Sequence, residues 1–129
     1  MSFIKVFNNQ FKEFINDVLV VFPDDLNIKT AKFYTHKLIS VNPAMIIKKW
    51  HEYVSIPYKN EIEQGDFSFF LSKDYNKDVG TSEQYNSENV MGAINLIKLK
   101  SQNMSKENKN KIIKYIQNLT KLSIMYMNS

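Results

Sequence analysis

Residues 3–22 read FIKVFNNQFKEFINDVLVVF. Phe3, Phe7, Phe11, Phe14, Ile15, Val18, Leu19 and Phe22 recur at steps of three and four, with Lys5, Asn9, Lys12, Glu13 and Asn16 between them. This is the period of a helix that turns one apolar side to a core and a polar side to water. The longest apolar run, Val18 to Phe22, is far too short to span a bilayer, which takes about 20 residues. Met1 to Lys5 leads into polar residues at every turn, so no signal-peptide core is expected there.

Outward from this segment the helical reading continues. Proline at position 23 restricts Phe22 and ends the first helix, and Asp24 and Asp25 are good turn and capping residues for the next. A second helix is expected from about Leu26 to Val41, burying Ile28, Ala31, Phe33 or Tyr34, Leu38 and Ile39. Asn42-Pro43 opens a third, carrying Met45, Ile46, Trp50 and Tyr53 and stopping before Pro57. Lys59 to Gln64 forms a short helical piece stopped by Gly65, and Asp66 then starts one helical turn through Phe67, Phe69 and Phe70. Phe67 and Phe69 also alternate as a strand would, but the short length and Asp66 favour the turn. The polar stretch 72–86 is expected as an exposed loop. Ser87 begins a helix to about Ser101 that buries Val90, Ile94 and Ile97, with Met91 a further candidate. Ser105 caps the last helix, whose apolar stripe is Ile112, Tyr115, Ile116, Leu119, Leu122 and Tyr126.

The expected fold is therefore all-α, one domain over residues 1–129, built as a compact bundle of about five main helices without internal repeats. A hydrophobic fraction of 43% with 13% aromatics suffices for a real core, placed at Trp50, Phe11, Phe14, Ile94, Ile116 and Leu119.

Composition narrows function more by exclusion than by assignment. With no cysteine, neither disulfides nor a thiolate zinc site can form, and nothing calls for an oxidising compartment. All 17 basic residues are lysine. Arginine is the usual reader of guanine and clamp for phosphate, so a sequence-specific DNA reader is disfavoured, while lysine still serves non-specific phosphate contacts. The two histidines, His36 and His51, lack a ligand partner four residues on, where Ser40 and Ser55 stand, so no metal site is expected. No nucleophile elbow or clustered glycine loop is present, and no catalytic residue or cofactor is assigned. Asp74 to Gly80 resembles the start of a calcium loop, but its glycine comes one residue late and Tyr85 stands where a bidentate glutamate belongs. The sequons at Asn103 and Asn118 carry no weight without a secretory signal.

Charge is uneven. Residues 98–129 hold seven lysines, Lys98, Lys100, Lys106, Lys109, Lys111, Lys114 and Lys121, against the single acid Glu107. The rest of the chain is slightly acidic, so the C-terminal part is a candidate basic face for nucleic acid, an acidic protein or a membrane surface. A second candidate surface is aromatic: Phe67, Phe69, Phe70 and Tyr75 fall close together beside a polar loop, either as a plug in the core or as an anchor for a partner. The core role is the stronger expectation, because a monomer exposing three neighbouring phenylalanines would tend to associate.

Several strings resemble a family of small, uncharacterised proteins of nucleocytoplasmic large DNA viruses. They are Phe22-Pro23-Asp24-Asp25, Lys29-Thr30-Ala31-Lys32, Asn42-Pro43, Trp50, Pro57-Tyr58-Lys59, the run from Ile62 to Asp66 and that from Phe69 to Tyr75. The segment from Asn110 to Leu119 resembles the same family's C-terminal helix. The resemblance implies a setting, namely host cytoplasm, viral factory or virion, and carries no catalytic motif. The resulting expectation is a non-enzymatic protein that works by protein–protein interaction with a viral or host partner or with itself. The alternative is lysine-driven, sequence-nonspecific binding of nucleic acid.

Overall fold

A computed structural model describes residues 2–71 and 90–129. Among these the chain is helical throughout, as expected: α1 (Phe3–Val21), α2 (Leu26–Val41), α3 (Met45–Trp50), α4 (Lys59–Glu63), α5 (Ser68–Leu71), α6 (Val90–Ser101) and α7 (Lys106–Met127). A π-helical turn over His51–Ser55 continues α3 without a break.

Local chemistry sets the boundaries. The Ser2 hydroxyl accepts from the Lys5 N–H and opens α1. Asp25 caps α2 by accepting from the N–H groups of Asn27 and Ile28 at 2.9 and 3.0 Å. Ser105 does the same for α7 through Asn108. Gly65 follows α4 at φ +76°, a left-handed conformation that a side chain would strain, and so makes the stop expected of it. Asp66 then accepts from both the backbone N–H and the hydroxyl of Ser68, which starts the single turn of α5.

The core is aromatic at its centre. Along the inner side of α1, Phe7, Phe11 and Phe14 stack with 6.2 Å between successive ring centroids. Trp50 stands edge-on to all three, at 6.3 to 6.5 Å. Its indole N–H, buried far from water, donates to the Thr120 hydroxyl of α7 at 3.1 Å. Tyr115 closes on Phe14 from α7 at 5.1 Å, and its hydroxyl donates to Asp17 of α1. All six residues expected in the core are buried, together with Ile46, Ile47, Val54, Ile97, Ile112 and Leu96.

Helices α1 and α2 run antiparallel. Lys32 donates to Asn16, and at the far end the amide of Asn8 donates to the Pro43 carbonyl at 2.8 Å, tying α1 to the turn before α3. In the π-helical turn the Ile56 N–H reaches the carbonyl of His51 at 2.9 Å, the wider bond pattern of such turns. The turn carries Val54 and Ser55 inward against α7 and leaves Tyr53 exposed.

Candidate functional site

The aromatic segment proves to be structural where it is described. Phe67 is 6% exposed and Phe70 fully buried, with the Phe70 ring edge-on to Phe14 at 6.5 Å. These two are core plugs, which removes them as partner anchors. The physical reason is the helical turn itself: Phe67, just before α5, and Phe70 within it are three residues apart and so fall on one side of the turn, with α6 packed on α5 and Phe14 of α1 against the Phe70 ring. The side chain of Phe69, and Tyr75 altogether, lie outside the described residues, as do the loop expected at 72–86 and the calcium-loop resemblance at 74–85.

The lysine cluster divides. Lys98 does not belong to an outer basic face: it is only 6% exposed, and its ammonium lies over the rings of Tyr58 and Phe70, 5.6 Å from each centroid. Lys100 is likewise engaged internally, 2.6 Å from the Asp25 carboxylate and over the Phe22 ring. Burial pushes the Asp25 carboxyl up, but the Lys100 ammonium and the two capping N–H donors outweigh it and hold the group below the ordinary carboxylate range. One ion pair thus fastens the end of α6 to the turn between α1 and α2. Lys109 is half-buried. Lys106, Lys111, Lys114 and Lys121 are exposed, and with Asn110, Gln117 and Asn118 they form the outer face of α7, where Glu107 is the lone carboxylate.

The histidines have separate surroundings. His36 lies on α2 beside Lys12 and Lys32, and partial burial together with these two cations pushes its pKa down. His51 Nδ1 is 3.4 Å from the Ser123 hydroxyl, which lies 2.7 Å from that of Ser55 and donates to the Thr120 carbonyl. This buried chain of hydroxyls, with Trp50 on Thr120, joins the π-helical turn to α7. Among the described residues no carboxylate completes it into a catalytic group, and no cluster of three His or acidic residues could hold a metal. Its sequence signal was available: Thr120 and Ser123 interrupt the apolar stripe of α7 four residues after Ile116 and Leu119, and Ser55 follows His51 at the same spacing.

Across α1, the Asp17–Tyr115 contact sits in a shallow cleft edged by Lys111 and Lys114. Burial, the Asp17 hydrogen bond and the charges of Asp17 and Glu13 push the Tyr115 phenol well above its ordinary range, so it stays a donor at any physiological pH.

The feature that sequence reading missed lies on α2. One of Phe33 or Tyr34 was expected inside; Tyr34 is half-buried and Phe33 is 72% exposed. Leu26 and Val41, on the same outer side of α2, are 74% and 76% exposed. Positions 26, 33 and 41 are about two turns apart each, so the three form one stripe along the helix. Beside it runs a groove of about 350 Å³ lined by Thr30, Phe33, Tyr34, Lys37, Leu38 and Val41. Nothing in α2's periodicity separates this stripe from the inner one of Ile28, Ala31 and Thr35, because apolar residues occur on both the inner and the outer side of the helix. No family model matches the chain, and neither characterised proteins nor solved structures give a significant match. Among the described residues no helix is long and apolar enough to cross a membrane.

Proposed function

We propose that the protein acts without catalysis, by binding another protein through the outer face of α2. The observation that supports this is the exposed stripe of Leu26, Phe33 and Val41 alongside a groove. A large aromatic side chain open to water beside a concave apolar surface is the usual makeup of an interface hot spot, and it loses nothing internal when it is covered. The setting, an infected cell's cytoplasm, viral factory or virion, belongs to the same proposal and rests on the sequence resemblance.

A second reading has its own support. The exposed face of α7 presents Lys106, Lys111, Lys114 and Lys121 along one helix side with Glu107 as its lone acid, an arrangement suited to non-specific contacts with phosphates.

Affinity purification separates the two. The wild type, Phe33→Ser, and a variant with these four lysines changed to Gln are compared in parallel, with and without nuclease, at low and high salt. Partners that vanish with Phe33→Ser and persist with the lysine variant, nuclease and salt are the expected result. Material that survives Phe33→Ser but disappears with nuclease or the lysine variant would transfer the function to α7.

A further inference from the structure

The α2 stripe also constrains the chemistry of what covers it. Lys29 and Lys37 stand one turn before and one turn after Phe33, both exposed, and neither is in an ion pair among the described residues. From Leu26 to Val41 the ionisable side chains are Lys29, Lys32, Tyr34, His36 and Lys37, with no carboxylate at all. Lys32 is engaged with Asn16 on the α1 side, so the cations of the stripe are Lys29 at its border and Lys37 within it. We infer that the outer face of α2 receives an acidic amphipathic helix of a partner protein, its apolar residues meeting Leu26, Phe33 and Val41 and its carboxylates meeting Lys29 and Lys37.

This rests on the reading of α2 as an interaction surface and adds the partner's class. Three considerations select that class. The stripe runs the length of a 16-residue helix, and its two-turn spacing matches the apolar repeat of an amphipathic helix laid along it. The groove between Phe33, Leu38 and Val41 gives such a helix a recess for one of its large side chains. The charge is one-sided: a second α2 laid against the first would set lysine against lysine with no acid to relieve them, whereas carboxylates would steer and orient the partner. A bilayer surface fits less well, since it takes up a continuous apolar face, and here Lys37 lies within the stripe beside a concave groove.

The experiment uses the full chain and two fluorescein-labelled synthetic helices of about five turns. Both carry leucines at a helical repeat; one is flanked by glutamates and its twin by lysines at the same positions. Fluorescence anisotropy is read at low and physiological salt, with circular dichroism confirming that each protein variant is folded. The glutamate peptide binds the wild type at least about 10-fold more tightly than its twin, and Phe33→Ser removes at least about 10-fold of that affinity. Lys29→Glu with Lys37→Glu reverses the preference between the peptides. If Phe33→Ser weakens both peptides but the charge reversal changes nothing, the acidic partner is refuted while the interaction surface stands. If neither peptide responds to Phe33→Ser, both readings fail. Phe33-dependent dimerisation in sedimentation, or Phe33-dependent binding to phosphatidylserine vesicles with no preference between peptides, overturns the inference in favour of a second copy or a membrane.

Discussion

Helices α1 and α2 are antiparallel neighbours of similar length, yet they use their aromatic residues in opposite directions. On α1, Phe7, Phe11 and Phe14 are all buried and locked edge-on by Trp50; on α2, Phe33 faces water. The difference follows from position. α1 is packed against α2, α3, α6 and α7, so its apolar stripe is surrounded, whereas α2 has α1, α3 and α6 on one side only. A helix with a single covered side needs one apolar stripe, and α2 carries a second. The surplus is what points to function, because stability of the isolated chain does not require it.

The largest test of this contrast is Trp50→Ala, which removes the ring that braces all three α1 phenylalanines and strands the Thr120 hydroxyl. Urea unfolding should show a loss of about 3–5 kcal/mol. An unchanged midpoint would mean that the α1 core is not organised around Trp50. Next comes a matched pair of substitutions. Phe70→Ser should cost at least about 3 kcal/mol or unfold the domain, since it opens a cavity and buries a hydroxyl, while Phe33→Ser should stay within about 0.5 kcal/mol of wild type. Equal costs for the two would erase the distinction between a core phenylalanine and a surface one.

The junction between the two helices gives a smaller effect. Asp25→Ala removes the α2 cap and the Lys100 partner together, and should lower stability by about 1 kcal/mol near neutral pH. Because the native carboxyl is held below the unfolded value of about 3.9, its contribution is fully present above that pH and is lost as pH falls through the lower native value. The difference between wild type and Asp25→Ala should therefore shrink on acidification below about pH 4; a difference that grows would contradict the ion pair. The smallest effect lies on the α1–α2 seam, where NMR titration should place His36 below the ordinary histidine value of about 6.5. Lys32→Gln should move it upward, and in the wild type any stabilisation from keeping this ring neutral is present above that pH and lost as pH falls. A titration that ignores Lys32→Gln would separate the two side chains.

Much of the fold could be read from residue order. The three- and four-residue steps of α1 and α7 named their buried faces correctly, and Ser105 and Asp25 are side chains whose chemistry favours helix starts wherever they occur. The candidate sites were less legible. Phe67 and Phe70 are buried because α5 is a helical turn meeting α1 and α6, a fact about neighbours distant in sequence. Lys98 and Lys100 looked like Lys111 and Lys114 in a lysine-rich segment; only tertiary packing supplied Tyr58 and Phe70 to cover one ammonium and Asp25 to neutralise the other.

Intervals between residues on the same element sufficed for the helical class, several helix ends and the inner stripe of each strongly amphipathic helix, although Asn42, expected to open the third helix, ends α2 instead and α3 begins at Met45. Tertiary structure alone decided which side of α2 would be covered and which lysines would remain in water. Both depend on the partners that other elements bring, and for α2, apolar residues on both its inner and outer sides left the choice to packing.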